Sequence, residues 1–200
     1  MTIVETNTRD RILQCALAEI EKNGIVGMRV ADVAARAEVS VPLIYKYFRD
    51  RDGLLAEVLT STTTSIFMKD IGRMRDLVES QSSPVTAEQL ANLMPMPNDV
   101  QRKRNRRIRA MAIAASYDIP RLADALADNQ RLMNDATRDL IAAVRKSAGC
   151  TSTVSVNAVT IVLQTLGFGI IISDCFEEPV ISDEEYRSLL VDVIDRLVIK

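Results

Sequence analysis

Histidine is absent from this chain of 200 residues. Its absence removes serine–histidine–aspartate and cysteine–histidine nucleophiles and every histidine-containing zinc or iron site. The sequence also has no glycine-rich loop that could cradle a phosphate and no convergent set of catalytic side chains. We therefore expect no enzyme activity, no catalytic residue, no metal site and no cofactor.

Cysteine is scarce and scattered, at Cys15, Cys150 and Cys175, without a C-x-x-C pair. An odd number at such spacing indicates neither a disulfide framework nor a thiolate metal site. We expect small buried residues rather than redox sensors, in a cytoplasmic protein. The N-terminal residues show no basic segment followed by an apolar one, so no secretory signal is predicted.

Turn-forming and aromatic residues are also few, with seven glycines, six prolines, no tryptophan and 4% aromatic residues. Hydrophobic residues make up 48% of the chain and charged residues 26%, which is ordinary for a globular protein. This composition favours long helices over sheets. The predicted fold class is all-α.

Residues 147–173 contain no charged side chain, and they include residues 153–172, which are nearly long enough to cross a bilayer. A spanning helix and a helix buried between protein partners both fit this length. No lysine or arginine cluster flanks the stretch, and five polar residues interrupt it, namely Ser155, Asn157, Thr160, Gln164 and Thr165. These features favour the buried helix, and we expect no membrane partner.

Apolar residues at helical spacing predict three helices in the first 50 residues, over residues 8–22, 30–36 and 41–48. Asn23-Gly24 ends the first helix, and Ser40 followed by Pro42 starts the third. The same periodicity predicts further helices after these. They cover residues 54–79, 86–93, 99–116, 120–149, 155–174 and 183–198.

The second and third predicted helices have the spacing of a helix-turn-helix, whose second helix enters the major groove of DNA. Ile44 and Phe48 share one face of the third helix and predict its buried side. An ordinary helical hairpin explains this spacing but not the basic and aromatic residues beside it. The outward side chains are Val41, Pro42, Leu43, Tyr45, Lys46 and Tyr47.

Residues 8–59 resemble the N-terminal domain of TetR-type (AcrR-like) transcriptional regulators. The resemblance rests on Asp32-Val33-Ala34, on the A-x-V-S turn at residues 37–40 and on the tyrosine-rich sequence at residues 44–48. It implies an N-terminal three-helix helix-turn-helix domain over residues 1–52 that binds DNA. It also implies a larger helical bundle over residues 53–200, which binds ligand and dimerises.

The family resemblance further implies a repressor that binds a palindromic DNA operator as a homodimer. The last two helices of each subunit would form a four-helix interface, and the C-terminal bundle would hold a small, mostly apolar effector. An alternative is a ligand-binding or protein-interaction module of the same fold that has lost specific DNA binding. Glu38, the neutral N-terminal domain and the apolar start of the third helix favour that alternative.

The resemblance also implies roles for single residues at the DNA. Ser40 caps the recognition helix, Tyr45 and Tyr47 contact the backbone or bases, and Arg51 holds a phosphate in place of the family's lysine. Lys46 completes the exposed polar face of this helix, and it joins these residues in the predicted DNA-binding set.

Three departures from the family pattern change the expected contacts. Arg29 stands where the family has a capping threonine, so we expect it to reach a phosphate directly. Glu38 replaces the usual turn glycine, which has a cost if the backbone needs a positive φ. Val41, Pro42 and Leu43 replace polar base readers. We therefore predict apolar contacts to thymine methyl groups and a T-rich element in each half-site.

Methionine and aromatic residues of the C-terminal bundle could line an adaptable apolar cavity, although they also fit an ordinary core. The candidates for effector binding are Phe67, Met111, Tyr117, Met133 and Phe168.

Charge is unevenly distributed along the chain. Six of the nine residues 101–109 are basic, whereas residues 110–200 contain eight basic and thirteen acidic residues. The basic run fits a segment paired with the acidic half or an auxiliary site for DNA phosphates.

Overall fold

The computed structural model describes residues 7–200, and this part of the chain consists of helices and connecting segments without a strand. The predicted all-α class is confirmed. The helices are α1 (Thr8–Gly27), α2 (Val30–Arg36), α3 (Val41–Phe48), α4 (Arg51–Ser80), α5 (Ala87–Leu93), α6 (Val100–Ser116), α7 (Pro120–Ala148), α8 (Val156–Gly169) and α9 (Asp183–Ile194). Residues 1–6 lie outside the described residues. The prediction that the N-terminal residues form no secretory signal therefore falls partly on residues that the structure does not describe.

The first helix is longer than the sequence predicts. It continues to Gly27 through a kink at Gly24, whose φ of 74° lies outside the helical region. Glycine adopts a positive φ without the steric cost that a side chain would add. The predicted stop at Asn23-Gly24 therefore marks the kink rather than the end of the helical run.

The helices α2 and α3 begin and end where the sequence predicts. The Oγ of Ser40 accepts the N–H of Leu43 at 3.4 Å and caps α3. Pro42 lies in the first turn, where its missing N–H costs no helical hydrogen bond. The helix α2 packs against both α1 and α3.

The described chain divides into two compact units. The first extends up to Thr64 and includes Ile108–Asn129, and the second comprises Ser65–Arg107 and Gln130–Lys200. The core of the first unit joins α1, α2 and α3 to the start of α4 and to buried residues of α6 and α7. The helix-turn-helix shares this core with later helices, whereas the predicted division after residue 52 separates them.

The second unit has its own apolar core. Its α5 packs against α9, and both helices begin with a capping box, in which the N-cap side chain and the third helical side chain each accept a backbone N–H. Leu140, Val144 and Leu190 are among its buried residues. Helical turns of other types, over Ile170–Cys175 and Asp195–Ile199, follow α8 and α9.

The uncharged stretch is far less buried than expected. Only 11% of its most apolar part, within Val156–Cys175, is buried in the described chain. Exposed apolar side chains on it include Ile161, Val162 and Ile172. By length and composition alone this stretch could cross a membrane. The described part of the chain therefore leaves an apolar helical surface uncovered.

The three cysteines are free thiols. Cys15 and Cys150 are partly buried, but Cys175 is exposed, so the expectation of burial is wrong for Cys175. Burial raises the pKa of the Cys15 thiol, although Arg36 and Arg11 oppose this effect. A raised pKa lowers the thiolate fraction, which agrees with a packing role for Cys15 rather than a redox one.

Candidate nucleic-acid interface

The helix α3 has one buried face and one exposed face. Ile44 is fully buried and Phe48 is 2% exposed, so both anchor the helix in the first unit. Tyr45 and Tyr47 are 43% and 41% exposed, and Lys46 is also exposed. Two hydroxyl groups and one ammonium group thus project from a helix that is fixed at its back.

The start of α3 presents a smaller apolar surface beside these polar groups. Pro42 is exposed, whereas Val41 and Leu43 are half-buried, and Val41 packs against the core of the first unit. The predicted DNA-binding residues from Ser40 to Tyr47 therefore lie on one short helix and its cap, as the sequence suggests. Pro42 is the most accessible apolar residue of this surface for contact with DNA.

The turn between α2 and α3 is strained. Glu38 has a φ of 53°, in the left-handed region that a side chain enters at a cost of about 1–2 kcal/mol. Its own side chain is exposed near the start of α3. The carbonyl of the neighbouring Ala37 accepts a hydrogen bond from Nε of Arg11 at 3.0 Å. This side-chain bond helps to hold the strained turn in place.

Arg51 has a bonding role that the sequence motif does not reveal. Its Nε donates to the Met28 carbonyl at 3.2 Å, and its Nη2 donates to the Ile25 carbonyl at 2.6 Å. Its Nη1 lies 3.7 Å from the Asp52 carboxylate. These contacts tie the start of α4 to the segment before α2. The phosphate contact of Arg51 stays a prediction, because most of its donors already have partners.

Arg29 immediately precedes α2 and has an exposed side chain. No side-chain hydrogen bond caps α2 at this position, as expected from the replacement of threonine. Its side chain is thus exposed to solvent and does not cap the helix. The phosphate contact of Arg29 stays a prediction.

Arg9 of α1 contacts the end of α3, although no sequence pattern assigns it a role there. The guanidinium carbon of Arg9 lies 5.5 Å from the centroid of the Phe48 ring, and its Nη2 lies 2.5 Å from Oε1 of Glu57. Burial raises the pKa of the Glu57 carboxyl, and Arg9 opposes this rise. The contacts link α1 to the last residue of α3 and to α4. No short motif signals this link, because its members are far apart in the sequence.

The family model of bacterial regulatory proteins of the tetR family matches residues 12–58. This match includes the strained turn, the whole of α3 and the start of α4. Residues 12–58 therefore form a helix-turn-helix region of the tetR type.

Curated relatives named as HTH-type transcriptional regulators match part of the chain. The HTH-type transcriptional repressor SCO4008 of Streptomyces coelicolor is 40% identical over 52 residues, which are 26% of this chain and 27% of that protein. The HTH-type transcriptional regulator BetI of Paraburkholderia phytofirmans is 29% identical over 84 residues, which are 42% and 43% of the two chains. The matches thus span less than half the length of these relatives.

Solved structures of TetR-type proteins match nearly the whole chain. One from Mesorhizobium loti, described as a TetR-family transcriptional regulator, has a TM-score of 0.73 at 19% identity and covers 96% of this chain and 97% of its own. One from Rhodococcus sp. has a TM-score of 0.66 at 25% identity, with 96% and 98% covered. The similarity confirms an N-terminal helix-turn-helix followed by a helical C-terminal domain.

The residues predicted to bind an effector are divided between the two units. Met111 and Tyr117 belong to the first, and Phe67, Met133 and Phe168 belong to the second. Met133 is 2% exposed, but Tyr117 is 87% exposed. Tyr117 therefore lines no enclosed cavity in the first unit, because it lies in the turn that ends α6.

Two arginines of the basic run bind carboxylates inside the second unit. Arg102 donates to both oxygens of Asp70 at 2.6 and 2.9 Å. Arg106 donates to both oxygens of Asp174 at 2.7 and 2.6 Å and to the Pro97 carbonyl at 2.7 Å. The pair of Arg106 with Asp174 agrees with the predicted pairing between the basic run and the acidic half, whereas Arg102 pairs with an aspartate of α4. Contact of its other basic residues with DNA stays a prediction.

Proposed function

We propose that this chain is a cytoplasmic DNA-binding transcriptional repressor that acts as a homodimer on a palindromic operator and responds to a small, mostly apolar effector. The observation that carries DNA binding is the exposed face of Tyr45, Lys46 and Tyr47 on a helix anchored by Ile44 and Phe48. The regulators named among its relatives support this proposal.

The exposed face of α3 supports two kinds of contact with DNA. The hydroxyls of Tyr45 and Tyr47 and the ammonium of Lys46 fit phosphate oxygens, which fix the helix in the major groove. Pro42, with the outer atoms of its neighbours, fits the methyl groups of thymine. We therefore propose that each half-site contains a T-rich element.

The uncovered apolar face of α8 supports a homodimer. A second copy would cover Ile161 and Val162, together with Leu189 of α9, which is 43% exposed. A two-fold interface between α8 and α9 of both copies would present two α3 helices to the two halves of a palindrome. The same apolar face makes membrane insertion the outcome to exclude by experiment.

An effector would act through its different affinities for two states of the dimer. We propose that the bound effector favours a dimer whose α3 helices are wrongly spaced for successive major grooves. Met133 and the partly buried Phe67 and Phe168 are the candidates in the second unit, and Met111 is the partly buried candidate in the first. A regulator of the same fold from Saccharomonospora viridis has been solved with choline, which supports a search among small molecules.

Selection of genomic DNA fragments by the purified protein at about 0.15 M salt tests the proposal, since nonspecific attraction is weak there. We expect enrichment of a palindrome with T-rich half-sites. A folded dimer that enriches no sequence, with or without candidate effectors, would favour the interaction module instead. Candidate effectors that bind the protein but leave its operator affinity unchanged would contradict the effector response.

Replacement of Lys46 by alanine is expected to weaken operator binding about tenfold, since one charged contact to DNA is lost from each subunit. If Lys46 binds phosphate, the dependence of affinity on salt should also decrease, by about one unit of slope for each contact. Fluorescence anisotropy with the selected operator measures both quantities. Lys146→Ala, which removes an exposed lysine of α7, is the matched control and should change neither.

Replacement of Glu38 separates backbone strain from charge. Glu38→Gly should stabilise the fold by about 0.5 kcal/mol, because relief of the positive φ exceeds the added entropy of the unfolded chain. It should also tighten operator binding, because it removes a negative charge near the DNA. Glu38→Gln keeps the strain, so it should tighten binding without raising the unfolding free energy. Denaturant titration and anisotropy test this, and equal stability of both variants would contradict the strain.

A further inference from the structure

The turn between α3 and α4 is unusually crowded. Arg49 has a φ of 70°, and its N–H donates to the Tyr45 carbonyl at 2.8 Å, which ends α3. At the next residue, Oδ1 of Asp50 accepts the N–H of Gly53 at 2.7 Å and caps α4. A Cβ on Gly53 would lie 2.0 Å from the Phe48 carbonyl oxygen. The end of α3 therefore rests directly on the backbone of α4.

Arg121 of α7 reaches this turn from a distant part of the sequence. Its Nη1 lies 3.1 Å from each carboxylate oxygen of Asp50, and it also lies 2.7 Å from the position that a Cβ of Gly53 would take. The next residue, Leu122, is fully buried in the core of the first unit. The guanidinium group is thus held against the turn from a fixed point of the backbone.

The pair between Arg121 and Asp50 contributes little to overall stability. The two side chains are 41% and 57% exposed, and solvent screens such pairs strongly. The pair matters because of its position, since the carboxylate of Asp50 that binds Arg121 also accepts the N–H of Gly53. Loss of Arg121 frees this carboxylate to rotate, which loosens the cap of α4 and the adjacent end of α3.

We propose that Arg121 is a positioning residue for the DNA-binding face of α3 and acts through Asp50 and Gly53. This inference rests on the proposed function for its effect on DNA. Its effect on the turn exists in the free protein. The two effects can therefore be measured separately.

The experiment compares the wild type with Arg121→Gln, Arg121→Lys and Arg138→Gln. Arg138 is a matched control because it also pairs with an aspartate, Asp135, on the surface of α7 and is 44% exposed. Amide hydrogen exchange in the DNA-free protein reports on Arg49 and Gly53. We expect Arg121→Gln to speed this exchange about two- to fivefold, the range of an exposed ion pair. Arg121→Lys should recover part of the protection, and Arg138→Gln should change nothing.

Operator affinity is then measured for the same variants at several salt concentrations. Arg121→Gln should weaken specific binding about two- to fivefold without changing the salt slope, because no phosphate contact is lost. A slope reduced by about one unit per contact would overturn the proposal in favour of direct phosphate binding. Unchanged exchange at Arg49 and Gly53, or changed exchange with unchanged affinity, would also overturn it. If the wild type selects no DNA while exchange rises as expected, the positioning of α3 is supported and the proposed function fails.

Discussion

Replacement of Gly53 by alanine is expected to destabilise the first unit by about 3 kcal/mol and to weaken operator binding at least about tenfold. The added Cβ would lie 2.0 Å from the Phe48 carbonyl oxygen, which is far inside van der Waals contact. Arg121 can move aside, but the carbonyl belongs to the last residue of α3. The clash can be relieved only by shifting α3 or the start of α4. Thermal unfolding and anisotropy with the selected operator measure the two effects.

Gly72 provides the control within the same helix. It lies in α4, and a Cβ there would meet no atom within 4 Å. Gly72→Ala should therefore stabilise the chain by about 0.5–1 kcal/mol, because alanine is the better residue inside a helix. If both alanine variants were equally stable and bound DNA equally well, the close contact between Phe48 and Gly53 would not exist in solution.

Local patterns were sufficient to predict the helix-turn-helix. Ser40 and Pro42 mark the start of α3 through chemistry confined to one turn of helix, and Ile44 and Phe48 mark its buried face through their spacing. The resemblance to TetR-type regulators adds the roles of Tyr45 and Tyr47, which spacing alone does not assign. The strain at Glu38 was predictable only because the family has glycine there.

Contacts between distant residues could not be predicted in the same way. The guanidinium of Arg51 binds carbonyls of residues 25 and 28, and that of Arg121 binds Asp50, 71 residues earlier. Such pairs depend on how the helices pack, which no local pattern encodes. Sequence patterns likewise do not show that α6 and α7 supply Ile108 and Leu122 to the core that holds α3, whereas the predicted boundary after residue 52 separates these helices from α3.

For the uncharged helix α8, the sequence does not reveal which partner covers its apolar surface. A lack of charge predicts that a helix avoids water, but composition does not say what covers it. The described chain leaves Ile161 and Val162 at 55% and 41% exposure, so the covering partner is not the chain's own core. The proposed second copy would cover them and would also provide the two-fold symmetry that the proposed palindromic operator needs.

Replacement of Ile161 by aspartate is expected to raise the dissociation constant of the homodimer roughly a thousandfold, or about 4 kcal/mol, because the interface would bury a charge from each copy. The variant should keep its fold, since this side chain is exposed in the single chain. Sedimentation velocity over a concentration series measures the dissociation constant. Ala142→Asp, at an exposed position of α7, places the same charge outside α8 and α9 and should leave the dimer intact.

The oligomeric state then decides between the possible partners of α8. A wild-type dimer that the Ile161 variant dissociates into folded monomers assigns this surface to a second copy. Operator binding should fall with it, because a monomer contacts only one half-site and loses the gain from binding two linked sites. A dimer that persists in the variant would exclude Ile161 from the interface. A wild type that stays with the membrane fraction and needs detergent would instead assign α8 to the bilayer, and the proposed homodimer would be wrong.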